Sequence, residues 1–162
     1  MIHILGNSKA FIEIDDSNIE MDLVPLRLCI DGNIIGTLET GTYMPSFIGA
    51  LKEIIENDYY QIDGVDDSNF KDIFYKDGVL CDNFRVTFEE SFDDFSRRVL
   101  RNKNSIYFTS FLYVDHYFDY PELKVNEVIF SKCTYNDLLN LINLLSNWWK
   151  NKKSGFCHIK EL

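Results

Sequence analysis

Apolar and polar residues change period several times along this chain, and each change predicts an element. Phe11, Ile12 and Ile14 precede a turn-like Asp15-Asp16-Ser17-Asn18, so the start reads as β structure. Leu26, Leu28 and Ile30 then alternate with Arg27 and Cys29, the period of a half-buried strand. Asp31-Gly32-Asn33 tolerates positive φ and predicts a hairpin into residues 34–38. After Gly41 the period lengthens. Phe47, Ile48, Leu51, Ile54 and Ile55 share one helical face, with Pro45 near the start and an end near Asn57.

Residues 57–78 (NDYYQIDGVDDSNFKDIFYKDG) break that pattern with aspartates, and Gly64, Asp66 to Asn69 and Asp77-Gly78 supply turn chemistry. Phe84, Val86 and Phe88 alternate as a strand again. Ser91 to Asp94 reads as a helix start, and Arg97, Arg98, Arg101 and Lys103 suit that helix's C-terminal end. Residues 105–118 are β-branched and aromatic on both faces, as a central strand is; a turn at 119–121 returns the chain to a strand at 125–132. Thr134 and Asp137 open a last helix, striped by Leu138, Leu141, Ile142, Leu145, Trp148 and Trp149. The sum is one α+β domain over residues 1–162: a mostly antiparallel sheet with about three helices packed on it.

Composition supports a folded core. The chain has 162 residues, 46% hydrophobic and 15% aromatic, which argues against disorder. No apolar run approaches the roughly 20 residues that span a bilayer. The first residues lack a basic region followed by a sustained apolar stretch, so no secretory signal is expected and the reading is cytoplasmic. Cys29, Cys81, Cys133 and Cys157 form no C-x-x-C pair of the kind zinc favours, and cytoplasmic thiols stay reduced. Buried free thiols are expected.

Charge adds what the periodicity cannot. The net charge is −10, and residues 53–94 carry thirteen acids against three bases, a net −10 by themselves. The rest is balanced. Such a surface repels nucleic acids and anionic membranes and draws cationic proteins. The candidate partner-binding residues are therefore Asp63, Asp66, Asp67, Asp72, Asp77, Glu89, Glu90, Asp93 and Asp94 for steering. Tyr59, Tyr60 and Tyr75 are the candidate anchors. The plainer alternative makes the tyrosines core and the acids a solvated rim.

Catalytic chemistry finds no foothold. Asp63 to Asn69 has oxygens, but its glycine comes too early for a calcium loop. His3, His116 and His158 lack any nucleophile motif, and Cys157-His158 falls in an expected extended tail where neighbours point apart. No glycine-rich phosphate loop is present. No catalytic residue, metal ligand or cofactor is assigned. Two alternatives to a partner-binding protein stay open: a small cytoplasmic enzyme or ligand-binding domain with a non-local carboxylate site, and a nucleic-acid mimic acting on DNA-binding proteins.

A resemblance narrows the partner. Ile4-Leu5-Gly6-Asn7, then Phe11-Ile12-Glu13-Ile14, then residues 28–36 (LCIDGNIIG) leading to Gly41-Thr42, resemble the bacterial polymorphic-toxin immunity proteins of the immunity protein 42 type. The likeness covers about the first 55 residues. It implies a cytoplasmic antidote that binds the C-terminal toxic domain of a secreted or contact-dependent growth-inhibition effector. The implied partner is a basic nuclease, whose phosphate-binding surface an acidic face would occupy. The family carries no catalytic residues to transfer.

Overall fold

The computed structural model describes the backbone of residues 1–160 and the side chains of residues 1–155. Strands β1 (Ile2–Gly6), β2 (Ala10–Asp15), β3 (Leu23–Ile30) and β4 (Asn33–Tyr43) form an antiparallel sheet in chain order. Register pairs Ile12 with Leu28 and Ile14 with Leu26, so the alternating apolar residues meet on one buried face. The β3–β4 hairpin closes with Ile30 opposite Asn33. Only Asp31 and Gly32 lie between, at φ +50° and +81°, the two left-handed positions that a tight turn matching the strand twist requires.

Helix α1 (Met44–Glu56) begins with Pro45 in its first turn and buries Phe47, Leu51, Ile54 and Ile55, as the spacing predicts. The acidic stretch then contains a 3₁₀ turn (Asp58–Tyr60), the short helix α2 (Phe70–Phe74) and a small hairpin, β5 (Tyr75–Lys76) with β6 (Val79–Leu80). Strands β7 (Phe95–Arg101), β8 (Ser105–Leu112) and β9 (Ile129–Thr134) make a second antiparallel sheet with β8 central. Helix α3 (Tyr135–Lys160) packs on α1, β1 and β2. Its entry is fixed by a reciprocal cap: the Thr134 amide donates to Asp137 Oδ2 at 2.9 Å, and the Asp137 amide donates to Thr134 Oγ1 at 3.0 Å. Leu138, Leu141, Ile142, Leu145 and Trp149 are buried in one core with both larger sheets.

The fold is α+β, with nine strands and three α-helices among the described residues. Its details correct the sequence reading in several places. The helix expected from Ser91 is a single 3₁₀ turn (Glu90–Phe92) followed by β7. The arginines that would have served a helix terminus instead reach neighbouring carbonyls: Arg97 to Val86 and Phe92, Arg98 to Cys81, and Arg101 to Ile54 and Asn57. The expected strand at 84–88 is reduced to an isolated Arg85–Arg98 bridge, because Phe84 turns the backbone at φ +66°. The third helix is α2, inside the acidic stretch. The central strand ends at Leu112, and its return partner starts at Ile129 rather than 125.

The C-terminal region expected as an extended tail is helical to Lys160, while the side chains of Cys157 and His158 lie outside the described residues. Cys29 and Cys133 are buried free thiols and Cys81 is a half-buried one. No helix among the described residues is long and apolar enough to cross a membrane.

Candidate functional site: the acidic segment

The acidic segment is held down by its own apolar residues. Val65, Phe70 and Phe74 are buried against Leu100 of β7 and Tyr107 of β8, and Ile62, Ile73, Leu80, Phe84 and Phe130 pack around them. This second core lies on the opposite side of the β7–β8–β9 sheet from the main core, which takes Phe95, Val99, Ile106 and Phe108 from the same strands. Alternation along each strand makes that division. The Phe70 ring stacks on Tyr107 with centroids 4.5 Å apart. With its apolar side spent on the sheet, the segment turns most of its carboxylates outward.

The nine candidate acids then separate into two kinds. Asp66, Asp67 and Asp94 are structural ties. Asp66 Oδ1 accepts from the Ser68 hydroxyl and from the amides of Ser68 and Asn69, and the Ser68 hydroxyl is the main cause of its lowered pKa. Asp67 accepts from Lys132 Nζ and from the Tyr107 hydroxyl, both at 2.7 Å. Asp94 accepts from the Tyr117 and Phe118 amides and the Tyr120 hydroxyl, which fastens the loop after β8. Burial pushes the Asp94 carboxyl up, but these three donors outweigh it and hold the pKa below the ordinary value.

The other six are uncommitted. The segment's ion pairs join Asp58 to Arg101, Asp67 to Lys132 and Asp82 to Arg85. Asp63, Asp72, Asp77, Glu89, Glu90 and Asp93 have no side-chain partner among the described residues. All but the half-buried Glu89 are exposed. They do not share one packing unit. Asp63, Asp72 and Asp77 belong to the block on the outer face of the second sheet, whereas Glu89, Glu90 and Asp93 flank a turn docked on β4. There Ser91 Oγ donates to the Thr40 carbonyl, and Phe92 closes over Gly36, where a Cβ would lie 2.9 Å from its ring.

The tyrosines also divide. Tyr60 is only 8% exposed, with its hydroxyl donating to the Arg85 carbonyl; it is a core residue, and its candidacy as a surface anchor is corrected. Tyr59 is 49% exposed, but its hydroxyl accepts from the Phe84 amide at 2.7 Å and stabilises the left-handed turn there. Tyr75, on β5, is 39% exposed, beside a 67% exposed Val79 on β6.

No protein-family model matches this chain, and neither a curated protein nor a solved structure matches it. Its site is therefore read from its own chemistry.

Tyr75, Val79 and Leu80 of the β5–β6 hairpin line an open cleft of about 310 Å³ together with Phe111, Asn126, Val128 and the buried Arg98. Sequence reasoning missed this cleft. Its residues come from four separate stretches, and the only local signal was the apolar Val79-Leu80 pair after an Asp-Gly turn. Among the described residues the histidines give no catalytic constellation. His3 Nε2 bonds Asp16 at 2.5 Å, and His116 Nδ1 contacts the Phe118 carbonyl at 2.6 Å. The His3 bond is the main cause of an Asp16 pKa near 2. Among the described residues no cluster of His, Cys, Asp and Glu is arranged to hold a metal ion.

Proposed function

We propose that this protein is a cytoplasmic immunity protein that binds and neutralises the toxic C-terminal domain of a cognate effector, a basic nuclease. One observation carries the reading. Asp63, Asp72 and Asp77 are exposed carboxylates with no side-chain partner among the described residues, and they belong to the packed block that also exposes Tyr75 and Val79. Uncommitted charge beside exposed aromatic and aliphatic surface suits a partner face, where charge steers the encounter and apolar anchors slow dissociation.

A basic nuclease presents the complement. The surface it evolved for phosphates attracts carboxylates for the same Coulombic reason, and covering that surface excludes nucleic acid. In this reading the chain performs no reaction of its own. The resemblance of its first strands to immunity proteins supports the same conclusion by a separate route.

The experiment is co-expression. The C-terminal domain encoded by the neighbouring effector gene should arrest growth when expressed alone, and this chain should restore it. Asp63→Lys, Asp72→Lys and Asp77→Lys together should abolish protection while leaving the melting temperature within a few degrees. Protection that survives the triple reversal would move the interface elsewhere, and failure to protect at all would sink the reading.

A further inference from the structure

The cleft beside the β5–β6 hairpin contains a charge that the fold does not neutralise. Arg98 is only 4% exposed, yet its bonding partners among the described residues are uncharged: Nε donates to the Cys81 carbonyl at 2.6 Å and Nη1 to Ser96 Oγ at 2.5 Å. Its register partner across the isolated bridge is a second arginine, Arg85. The acid paired with Arg85, Asp82, is 94% exposed and bonds it at 3.4 Å. Buried charges are ordinarily paired, because a desolvated guanidinium gains most from an anion in the same low-dielectric site.

Around Arg98 the walls are apolar: Tyr75, Val79, Leu80 and Phe111. Asn126 adds a polar side chain at the rim, its backbone fixed by an amide donated to the Leu112 carbonyl at 2.8 Å. An apolar cleft with a few convergent polar groups is the usual form of a small-molecule site.

We propose that this cleft binds a small organic monocarboxylate, with the carboxylate on Arg98 and an aromatic or branched apolar body against Tyr75, Val79 and Phe111. A monoanion is favoured over a phosphate for two reasons. The walls offer no second cation, and the exposed carboxylates of Asp77 and Asp82 nearby repel a dianion more than a monoanion. The proposal does not rest on the toxin-binding reading, since it concerns the free chain.

The test titrates the isotopically labelled protein with phenylacetate and, separately, with the uncharged phenylacetamide, following amide shifts by NMR. Phenylacetate should shift Val79, Leu80, Phe111 and Asn126 and bind about tenfold or more tighter than the amide, the difference made by one charge-assisted pair. Arg98→Met should erase that preference. Because Arg98 also ties the Cys81 loop, Val79→Glu serves as the variant that leaves the interior intact: losing the apolar wall should weaken both ligands, but repulsion of the carboxylate should weaken the acid more, narrowing its advantage over the amide. Equal affinity for acid and amide, shifts located instead at a second groove lined by Lys52 of α1 and Lys150 and Lys153 of α3, or no binding by about 10 mM would each overturn the proposal.

Discussion

The Tyr107 hydroxyl donates to Asp67 across 2.7 Å, joining residues 40 apart in sequence and fastening the acidic segment to the centre of the second sheet. Lys132 on β9 grips the other carboxylate oxygen. The Lys132 bond first, and the Tyr107 bond second, hold the Asp67 carboxyl below its ordinary 3.8. Burial first, and the Asp67 bond second, push the Tyr107 phenol up to about 12.

These shifts predict opposite pH limits for one contact. A carboxyl lowered on folding contributes stability that is present above its unfolded value of 3.8 and is lost as pH falls through the lower folded value. A phenol raised on folding contributes stability present below 10.0 and lost as pH rises through about 12. Asp67→Asn should therefore melt below the wild type at neutral pH, with the gap closing on acidification. Thermal melts by circular dichroism across that range check it. A gap that stays constant into acid would mean the charge on Asp67 contributes nothing.

Arg101 makes a second long-range tie. Its guanidinium, buried beneath the end of α1, donates to the carbonyls of Ile54 and Asn57 and to Gln61 Oε1. Arg101→Met should leave the Ile54 carbonyl and the Gln61 oxygen without this donor, the Asn57 carbonyl keeping the Tyr60 amide, and cost about 3 kcal/mol. Urea unfolding should show a lower midpoint with an unchanged slope. A loss below about 1 kcal/mol would mean that water or a relaxed backbone replaces the guanidinium.

These ties explain which parts of the fold were legible in sequence. The β3–β4 hairpin, α1 and the start of α3 follow from neighbours: alternation, a two-residue turn, a helical stripe and a local cap. Strand β7 did not. Its Phe95-Ser-Arg-Arg-Val-Leu-Arg101 follows acids and is rich in bases, which imitates a helix with a complemented dipole. The arginines are there to satisfy carbonyls brought close by distant segments, and no window along the chain displays that. The site divides in the same way. Charge density marked the acidic segment, but the roles of Asp67 and Asp94 depend on Lys132, Tyr107 and Tyr120, so they could not be separated from the free carboxylates.

The cap at the start of α3 tests the local half of that division. Thr134→Ala removes the acceptor for the Asp137 amide and should cost about 1 kcal/mol. Thr134→Ser keeps the hydroxyl and should cost only a few tenths. Equal losses for the two variants, measured by urea unfolding, would show that the threonine methyl rather than the cap matters.

The final prediction concerns the proposed partner face. If Asp63, Asp72 and Asp77 steer a basic domain, the complex should reach an affinity on the order of nanomolar, with an association rate that falls steeply as salt rises. The reason is that exposed charges act only over roughly 8–10 Å at physiological ionic strength. Reversing these three should slow association. Reversing the exposed Glu20 and Glu122, outside the segment, should do much less. Asp66, Asp67 and Asp94 must be left alone in that comparison, because reversing them would break structural ties and confound binding with folding. Tyr75→Ala should act differently, raising the dissociation rate with little change in association, since an anchor is felt only after docking. Kinetics by surface plasmon resonance across a salt series separate the two effects. An association rate indifferent to both salt and the triple reversal would reduce the acidic segment to a solvated rim.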